Sequence, residues 1–357
     1  MQRTSHFFYY FLIPLYISCA EKDNPEDFTK ATSPTKPLPS SVAYTPDPVT
    51  KQPKGQITPT VSPRIHPGFG IVVDTSFIWW KAYVSESDYG QLEGRVLSPN
   101  FSYEPGFKVG LGMDLYHDSW DVYAQYTWLH EPNLSQANTS ITPGSSNYTP
   151  SYTQSSSQQT LSALSITSAR SIRSSQFNIL DADMGRNFYI SKRLTLRPAI
   201  GIKGASIFEE NTVTYVANEI SQTASTQWKQ NLSGLGLKGS LDTLWHITES
   251  FGFYGNMALS TLYSTLHNTY SNNYKSGSGV SKDSLYKNTG LIVPVLELAV
   301  GLSYKIWFKE NRYEFHMSGG WNQQVWIGYN QNLVTGTTSA GGSLSLQGMT
   351  LTAGFIF

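Results

Sequence analysis

Twelve titratable residues recur at alternate positions in the strand-like part of the chain: Lys108, Asp114, Asp121, Asp181, Asp183, Arg197, Lys203, Lys238, Asp242, Glu297, Glu314 and His316. Each is flanked by apolar neighbours that repeat every second residue. Alternation of this kind places the charged set on one face of an extended chain and the apolar set on the other. Charges of both signs gathered on one inner face would set the electric field along a lumen, giving weak ion selectivity, or would pair off as a salt-bridged plug. These twelve are the candidate pore-lining residues.

Catalysis and metal binding are the competing chemistries. Asp181, Asp183, His246 and Ser260 are the residue types that an acid–base or nucleophilic site would use. They fall near different turns and on opposite sides of the expected membrane, so no active site is expected and none of them is assigned a catalytic role. The seven His are dispersed and Cys19 is the only cysteine, so neither a disulfide within the chain nor a metal site is expected. Gly234-Leu235-Gly236 is not followed by a helix pattern, which removes a phosphate loop. No cofactor is expected.

The elements that must hold these charges are β-strands. Across 107–115, Phe107, Val109, Leu111, Met113 and Leu115 alternate with Lys108, Gly110, Gly112 and Asp114. After the polar turn 116–119, Trp120, Val122, Ala124, Tyr126 and Trp128 alternate with Asp121, Tyr123, Gln125 and Thr127, which makes a hairpin. The same text returns around Leu194–Lys203, Leu235–Trp245, Phe251–Ser260, Leu296–Lys305 and Tyr313–Asn322. The polar face is mostly Gly, Ala and Ser with few charges, which suits a crowded interior better than a solvated surface. About 13 residues at ~3.3 Å rise and ~40° tilt span roughly 33 Å, the thickness of a bilayer. Sandwich strands are nearer five or six residues.

Composition agrees. Charged residues are 14% and aromatics 13%, yet mean hydropathy is −0.29 and no apolar run approaches a spanning helix. The formal net charge is zero, which argues against nucleic acid as a partner. Trp79, Trp80, Trp120, Trp128, Trp245, Tyr263, Tyr304, Trp307 and Trp326 are expected to form two interfacial girdles.

Connections alternate in length. Short ones are expected at 116–119, 189–193, 247–250 and 306–311. Long ones are expected at 85–103, 131–173, 207–228, 264–288 and 327–344. Short periplasmic turns and long extracellular loops give an all-β, transmembrane, antiparallel up-and-down β-barrel of about ten strands. Hidden strands in 131–173, or at Thr212–Val216, would raise the count to twelve or fourteen. Pro294 is expected to mark a bulge or a strand's first turn, because proline removes a ladder donor.

The ends of the chain carry address signals. Residues 1–20 read as a signal peptide: Arg3, an apolar stretch from Phe7 to Ile17, then Ser18 and Ala20. The alternative is a lipoprotein signal ending before Cys19, although Tyr16 stands where Leu is expected. Residues 21–67 hold Pro25, Pro34, Pro37, Pro39, Pro46, Pro48, Pro53, Pro59, Pro63 and Pro67 and read as a Pro-rich disordered periplasmic tether. Residues 68–357 form the barrel. Its terminal strand places Leu351, Ala353, Phe355 and Phe357 at alternate positions, and resembles the signal read by the outer-membrane barrel assembly machinery.

Four stretches resemble the major outer membrane protein family of Legionella and chlamydia-like bacteria: Asp74–Ala82, Glu104–Gly112, Met184–Tyr189 and Leu194–Pro198, with Ser119–Tyr123 also fitting. The resemblance implies a pore-forming outer-membrane β-barrel without catalytic residues, hence a porin-like channel for passive diffusion of small solutes. Some relatives are cysteine-rich and cross-linked, which this chain cannot be. The alternative function is a structural surface protein or adhesin whose long polar loops bind host or environment, with the barrel as anchor. The expected partners are outer-membrane lipid, lipopolysaccharide and the assembly machinery, with a homo-oligomer as a further candidate. The expected location is the bacterial outer membrane.

Overall fold

Alternation of side chains obliges each strand to bury one face, and here the strands do so by closing into a ring. The computed structural model describes residues 70–92, 95–115, 120–140, 148–150, 166–191, 193–217, 222–276, 279–308, 313–331 and 341–357. The expected signal peptide and tether lie outside them. In chain order the strands are β1 (Ile71–Val84), β2 (Gly90–Leu92), β3 (Arg95–Leu97), β4 (Tyr103–Asp114), β5 (Trp120–Ser140), β6 (Tyr148–Pro150) and β7 (Ile166–Arg186). They continue with β8 (Phe188–Tyr189), β9 (Leu194–Ala217), β10 (Gln222–His246), β11 (Phe251–Ser276), β12 (Gly279–Phe308), β13 (Tyr313–Gln331) and β14 (Gly341–Ile356).

Ten strands make the wall: β1, β4, β5, β7, β9, β10, β11, β12, β13 and β14, each antiparallel to its neighbours. The ring shuts where β14 meets β1, from Val72↔Ile356 to Val84↔Leu344. The Phe357 amide donates to the Ile71 carbonyl at 3.0 Å, so the last residue completes the seam. A closed ring leaves no unpaired edge within lipid. β8 is a two-residue addition on β9, and β2, β3 and β6 form a separate small sheet in the external connections.

The outer face is apolar through the wall. Along β11, Phe251, Phe253, Met257, Leu259 and Tyr263 face outward at 42–71% exposure. From Phe251 to Tyr263 the strand rises roughly 30 Å at ~40° tilt, which matches the hydrocarbon core. Leu351, Phe355 and Phe357 are exposed on the same outer surface.

Three expectations need correction. First, 207–228 and 264–288 are not long loops. β9 and β10 continue to leave only 218–221 between them, and β11 and β12 leave only 277–278. Thr212–Val216 belongs to β9, so the count stays at ten. Main-chain pairing needs no apolar face, so the ladder runs on after the hydrophobic alternation has ended. β5 likewise reaches Ser140 and β7 starts at Ile166, shortening the 131–173 connection; β13 runs to Gln331 and β14 starts at Gly341, shortening 327–344.

Second, Trp80 and Trp326 are not girdle residues. Both point into the barrel at 0% exposure, whereas Trp79, Trp245, Tyr263 and Tyr304 face outward. Adjacent residues in a strand face opposite ways, so Trp79 and Trp80 cannot both meet lipid.

Third, Pro294 makes neither a bulge nor a strand start. It pairs with Thr261 of β11 inside β12, while the β13 ladder begins one residue on at Val295↔Trp326. Pro105 and Pro198 obey the same rule: the β5 ladder begins at Gly106, and the β7 ladder ends at Ala199. Each proline therefore sits where one flanking strand has stopped pairing and no donor is needed.

Candidate functional site

The interior divides into layers along the barrel axis. Nearest the periplasmic end, a charged layer is built by the even rungs of β10 and the odd rungs of β5, β7, β9 and β12. Arg197 is the hub of its first half. Its guanidinium pairs with Asp121, with Asp183 at 2.8 Å and with Asp242 at 2.9 Å. Lys203 is the hub of the second half, 2.8 Å from Asp181 and 3.0 Å from Glu297. Lys238 joins the halves, 3.2 Å from Asp181 and 3.6 Å from Asp183. Gln324 donates to Glu297 at 2.9 Å. Cations and carboxylates thus alternate across β5, β7, β9, β10 and β12 and neutralise one another locally.

Lys108 is buried on the inner face of β4, with its ammonium 4.6 Å from the centre of the Trp80 ring. His316 Nε2 lies 2.8 Å from Asp74 Oδ1, and Glu314 stands 4.0 Å from the other ring nitrogen. Asp114 ends β4 and is exposed. The Tyr123 hydroxyl donates to Asp74 Oδ2 at 2.9 Å. To reach it, the Tyr123 ring crosses Gly110 and Gly112; a Cβ on Gly112 would lie 2.8 Å from the ring, and one on Gly110 would collide with the hydroxyl. Gly110→Val is therefore expected to displace Tyr123 from Asp74 and to lower unfolding stability by about 1–3 kcal/mol. Tyr123→Phe should cost only about 1 kcal/mol, since the ring still packs. Urea unfolding of the refolded protein checks both.

Above the charges lies an apolar layer that crosses the barrel. Ile78, Trp80, Ala82 and Val84 come from β1, Leu129 from β5, and Phe177 and Ile179 from β7. Ala205 and Ile207 come from β9, Leu232 from β10, Leu262 and Leu266 from β11, and Val293 and Val295 from β12. Trp326 and Tyr329 of β13 and Leu344 and Leu346 of β14 complete it. Every wall strand except β4 contributes. All but Ala205 are at 0–1% exposure. The β13 contribution depends on a break: the register shifts between Trp326 and Asn330, and Gly328 adopts φ of 71°, a conformation that glycine allows without strain. Tyr329 and Asn330 are both buried as a result, against strand alternation.

A third layer, at the external end, is again charged. Arg173 Nη1 lies 2.6 Å from Glu131 Oε2 and Arg173 Nε 2.8 Å from Glu209 Oε1, with all three side chains at 1–2% exposure. Ser175 donates to Glu131 at 2.6 Å and the Ala82 amide donates to Glu131 at 3.1 Å. Beyond it, Tyr89 tucks among Tyr215, Trp228 and Tyr270, and the Tyr215 hydroxyl donates to the Tyr89 carbonyl at 2.6 Å.

All twelve candidate residues stand on the inner-face positions of their strands. The structure brings Asp121, Asp181, Asp183, Arg197, Lys203, Lys238, Asp242 and Glu297 into one network and leaves Asp114 at the rim. Sequence reasoning missed Asp74, Glu131, Arg173 and Glu209. Asp74 was within reach, because it lies outside every expected connection and carries a charge on the inner parity of β1. Glu131, Arg173 and Glu209 fell in segments read as loops, Glu131 at the very start of 131–173. His246 lies near Thr195 at the periplasmic end of β10, away from Lys238 and the carboxylates it holds. Among the described residues, no three His, Cys, Asp or Glu side chains converge as a metal site.

A closed antiparallel barrel with a bilayer-high apolar outside and a polar, side-chain-filled inside is an outer-membrane β-barrel, and its place is the bacterial outer membrane. Within that class, the chain belongs to the Legionella pneumophila major outer membrane protein precursor family, whose profile matches residues 71–357. A search of curated proteins found no match. Similar solved structures include the outer membrane protease OmpT from Escherichia coli, at 12% identity and TM-score 0.41, covering 81% of this chain and 96% of that one. A major outer membrane protein from Thermus thermophilus matches at 10% identity and TM-score 0.27, covering 80% and 99%. A Pseudomonas aeruginosa FadL homologue matches at 7% identity and TM-score 0.25, covering 81% and 90%.

Proposed function

We propose that this protein is a sealed structural barrel of the outer membrane, which anchors external hairpins and loops at the cell surface and does not act as an open diffusion pore. The apolar layer carries this reading. Its side chains fill the cross-section between two charged layers, and an ion crossing it would lose its hydration without gaining ligands. Ion pairing in the lower layer supports the same reading, since Arg197, Lys203 and Lys238 already hold the carboxylates that would otherwise face a lumen.

The barrel is proposed to be non-catalytic. Asp181 and Asp183 are engaged by lysine and arginine, and His246 stands apart from them. The tips of β9–β10 and β11–β12 are the surfaces presented outside; Val280, Leu285 and Tyr286 are exposed there at 60%, 40% and 79%.

Porin-like passage of small solutes is the second reading. The family resemblance and the polar inner face below the apolar layer favour it. It requires the apolar layer to part far enough to admit water. Planar-bilayer recording of refolded protein separates the two. The sealed reading expects no discrete conductance steps; steps at modest voltage would favour the pore.

A further inference from the structure

We propose that one rung at the external end of the barrel interior binds a monovalent hard cation of about sodium's size, held by Glu209 Oε2, Gln230 Oε1 and Asn268 Oδ1. The register sets the site. Glu131 pairs with Ser175, Ser175 with Glu209, Glu209 with Gln230 and Gln230 with Asn268, so five strands place these residues side by side on one level. All five face inward at 0–1% exposure.

The amide orientations are fixed by the main chain. Gln230 Nε2 donates to the Tyr329 carbonyl at 3.0 Å and Asn268 Nδ2 to the Gln331 carbonyl at 2.9 Å. Each amide oxygen is therefore turned away from those carbonyls, and neither oxygen has a protein donor. Glu209 Oε1 accepts from Arg173, while Glu209 Oε2 has no well-aligned protein donor either. The Tyr329 hydroxyl stands beside Glu209 and Gln230 but makes no hydrogen bond of good geometry to either. Buried oxygens left in this state are costly unless a ligand meets them.

Charge selects the ligand. Glu131 and Glu209 carry two negative charges and Arg173 one positive. Both Glu131 oxygens are engaged, by Ala82, Arg173 and Ser175. The three side chains together keep one formal negative charge, and Glu209 Oε2 is the carboxylate oxygen among them with no aligned hydrogen-bond donor. Arg173 Nη2 also lacks a protein partner, and water can serve it and the Tyr329 hydroxyl, but water does not balance the charge. A monovalent cation does, whereas a divalent one would leave a buried positive excess. One carboxylate and two amide oxygens are hard donors suited to an alkali cation rather than to a soft transition metal. The inference does not depend on whether the barrel conducts.

The test uses the full refolded chain in detergent micelles. Retention of radioactive sodium is measured by equilibrium dialysis against choline chloride at constant ionic strength, alongside unfolding midpoints in sodium, choline and calcium chloride. Wild type is expected to retain sodium stoichiometrically and to unfold at a higher temperature in sodium than in choline. Asn268→Leu keeps the ion pairs and is expected to hold sodium about tenfold more weakly. Equal retention in wild type and Asn268→Leu, or equal wild-type midpoints in sodium and choline, would mean a water cluster only. Displacement of sodium by equimolar calcium would also overturn the monovalent assignment. Should Asn268→Leu not fold, the wild-type retention and midpoints decide alone.

Discussion

Arg173→Met is expected to lower the unfolding free energy by about 3–5 kcal/mol, because it strands two buried carboxylates. Arg173 contacts Glu131 at 2.6 Å and Glu209 at 2.8 Å from within the wall. Its guanidinium also lies 5.2 Å from the centre of the Phe101 ring. Removing the cation leaves Glu131 and Glu209 mutually repulsive and nearly without water. Adding Glu131→Gln and Glu209→Gln to Arg173→Met should recover most of the stability, since neutral amides can hydrogen-bond where paired carboxylates cannot. Tryptophan fluorescence during urea unfolding reads all three proteins. A single-variant loss below about 1 kcal/mol would show that the cluster is solvated, as surface ion pairs are.

Trp80→Ala combined with Trp326→Ala should have the second large effect, on stability and on permeability together. Both indoles are fully buried on the inner face. Trp80 Nε1 donates to Thr350 at 3.0 Å, and Lys203 stands 5.9 Å from the centre of the Trp326 ring. Truncating each large buried side chain costs about 3–5 kcal/mol through lost transfer energy and the cavity left behind. Folding in detergent therefore becomes marginal, so the double variant is best refolded directly into vesicles. Both indoles lie against lysines of the lower charged layer, Trp80 against Lys108 and Trp326 against Lys203, so cavities at these two positions thin the apolar layer from that side. Discrete conductance steps, absent from wild type, are the expected result. A folded but silent double variant would place the barrier elsewhere, in the Arg173 layer or in the small sheet of β2, β3 and β6.

Most of the barrel was legible because lipid imposes a simple rule on sequence. Phe107, Val109, Leu111 and Met113 had to be apolar to face hydrocarbon, and Lys108 and Gly112 were free to differ. That rule holds only as far as the lipid does. Above Phe208 and Tyr263 the outer face turns polar, with Glu210 3.4 Å from Lys229. There the alternation fades, while β9, β10, β11 and β12 continue on main-chain hydrogen bonds. Arg173 and Glu209, the core of the external charged layer, were lost with those segments.

The inner face was legible in parity but not in packing. Lys203, Lys238, Asp181 and Asp183 could be placed inside from their strands alone. Their mutual pairing depends on strand stagger, which alternation does not encode. The apolar layer was hidden for a different reason. Ile78, Leu129, Ile179, Leu232 and Leu262 continue the inner parity of their strands but are hydrophobic; Ile78, Leu129 and Ile179 merge with the outward Phe77, Trp79, Trp128 and Leu180 into apolar runs, while Leu232 stands alone between Asn231 and Ser233. Trp79-Trp80 is the clearest instance, one indole for each side of the wall. Breaks in the alternation, where apolar residues run consecutively, mark where the barrel interior is filled.

Cysteine accessibility at Ala82 tests the sealed interior most directly. Ala82 lies in the apolar layer at 0% exposure and a thiol there adds little volume. With Cys19→Ser in the background, Ala82→Cys in vesicles is treated with a charged, water-soluble thiol reagent, and Asp114→Cys at the exposed rim serves as the reactive control. Rapid labelling at 114 with none at 82 until the barrel is unfolded is the predicted result. Labelling of the folded protein at 82 at a rate near that of 114 would mean that water fills the cross-section, and the sealed barrel would have to be abandoned.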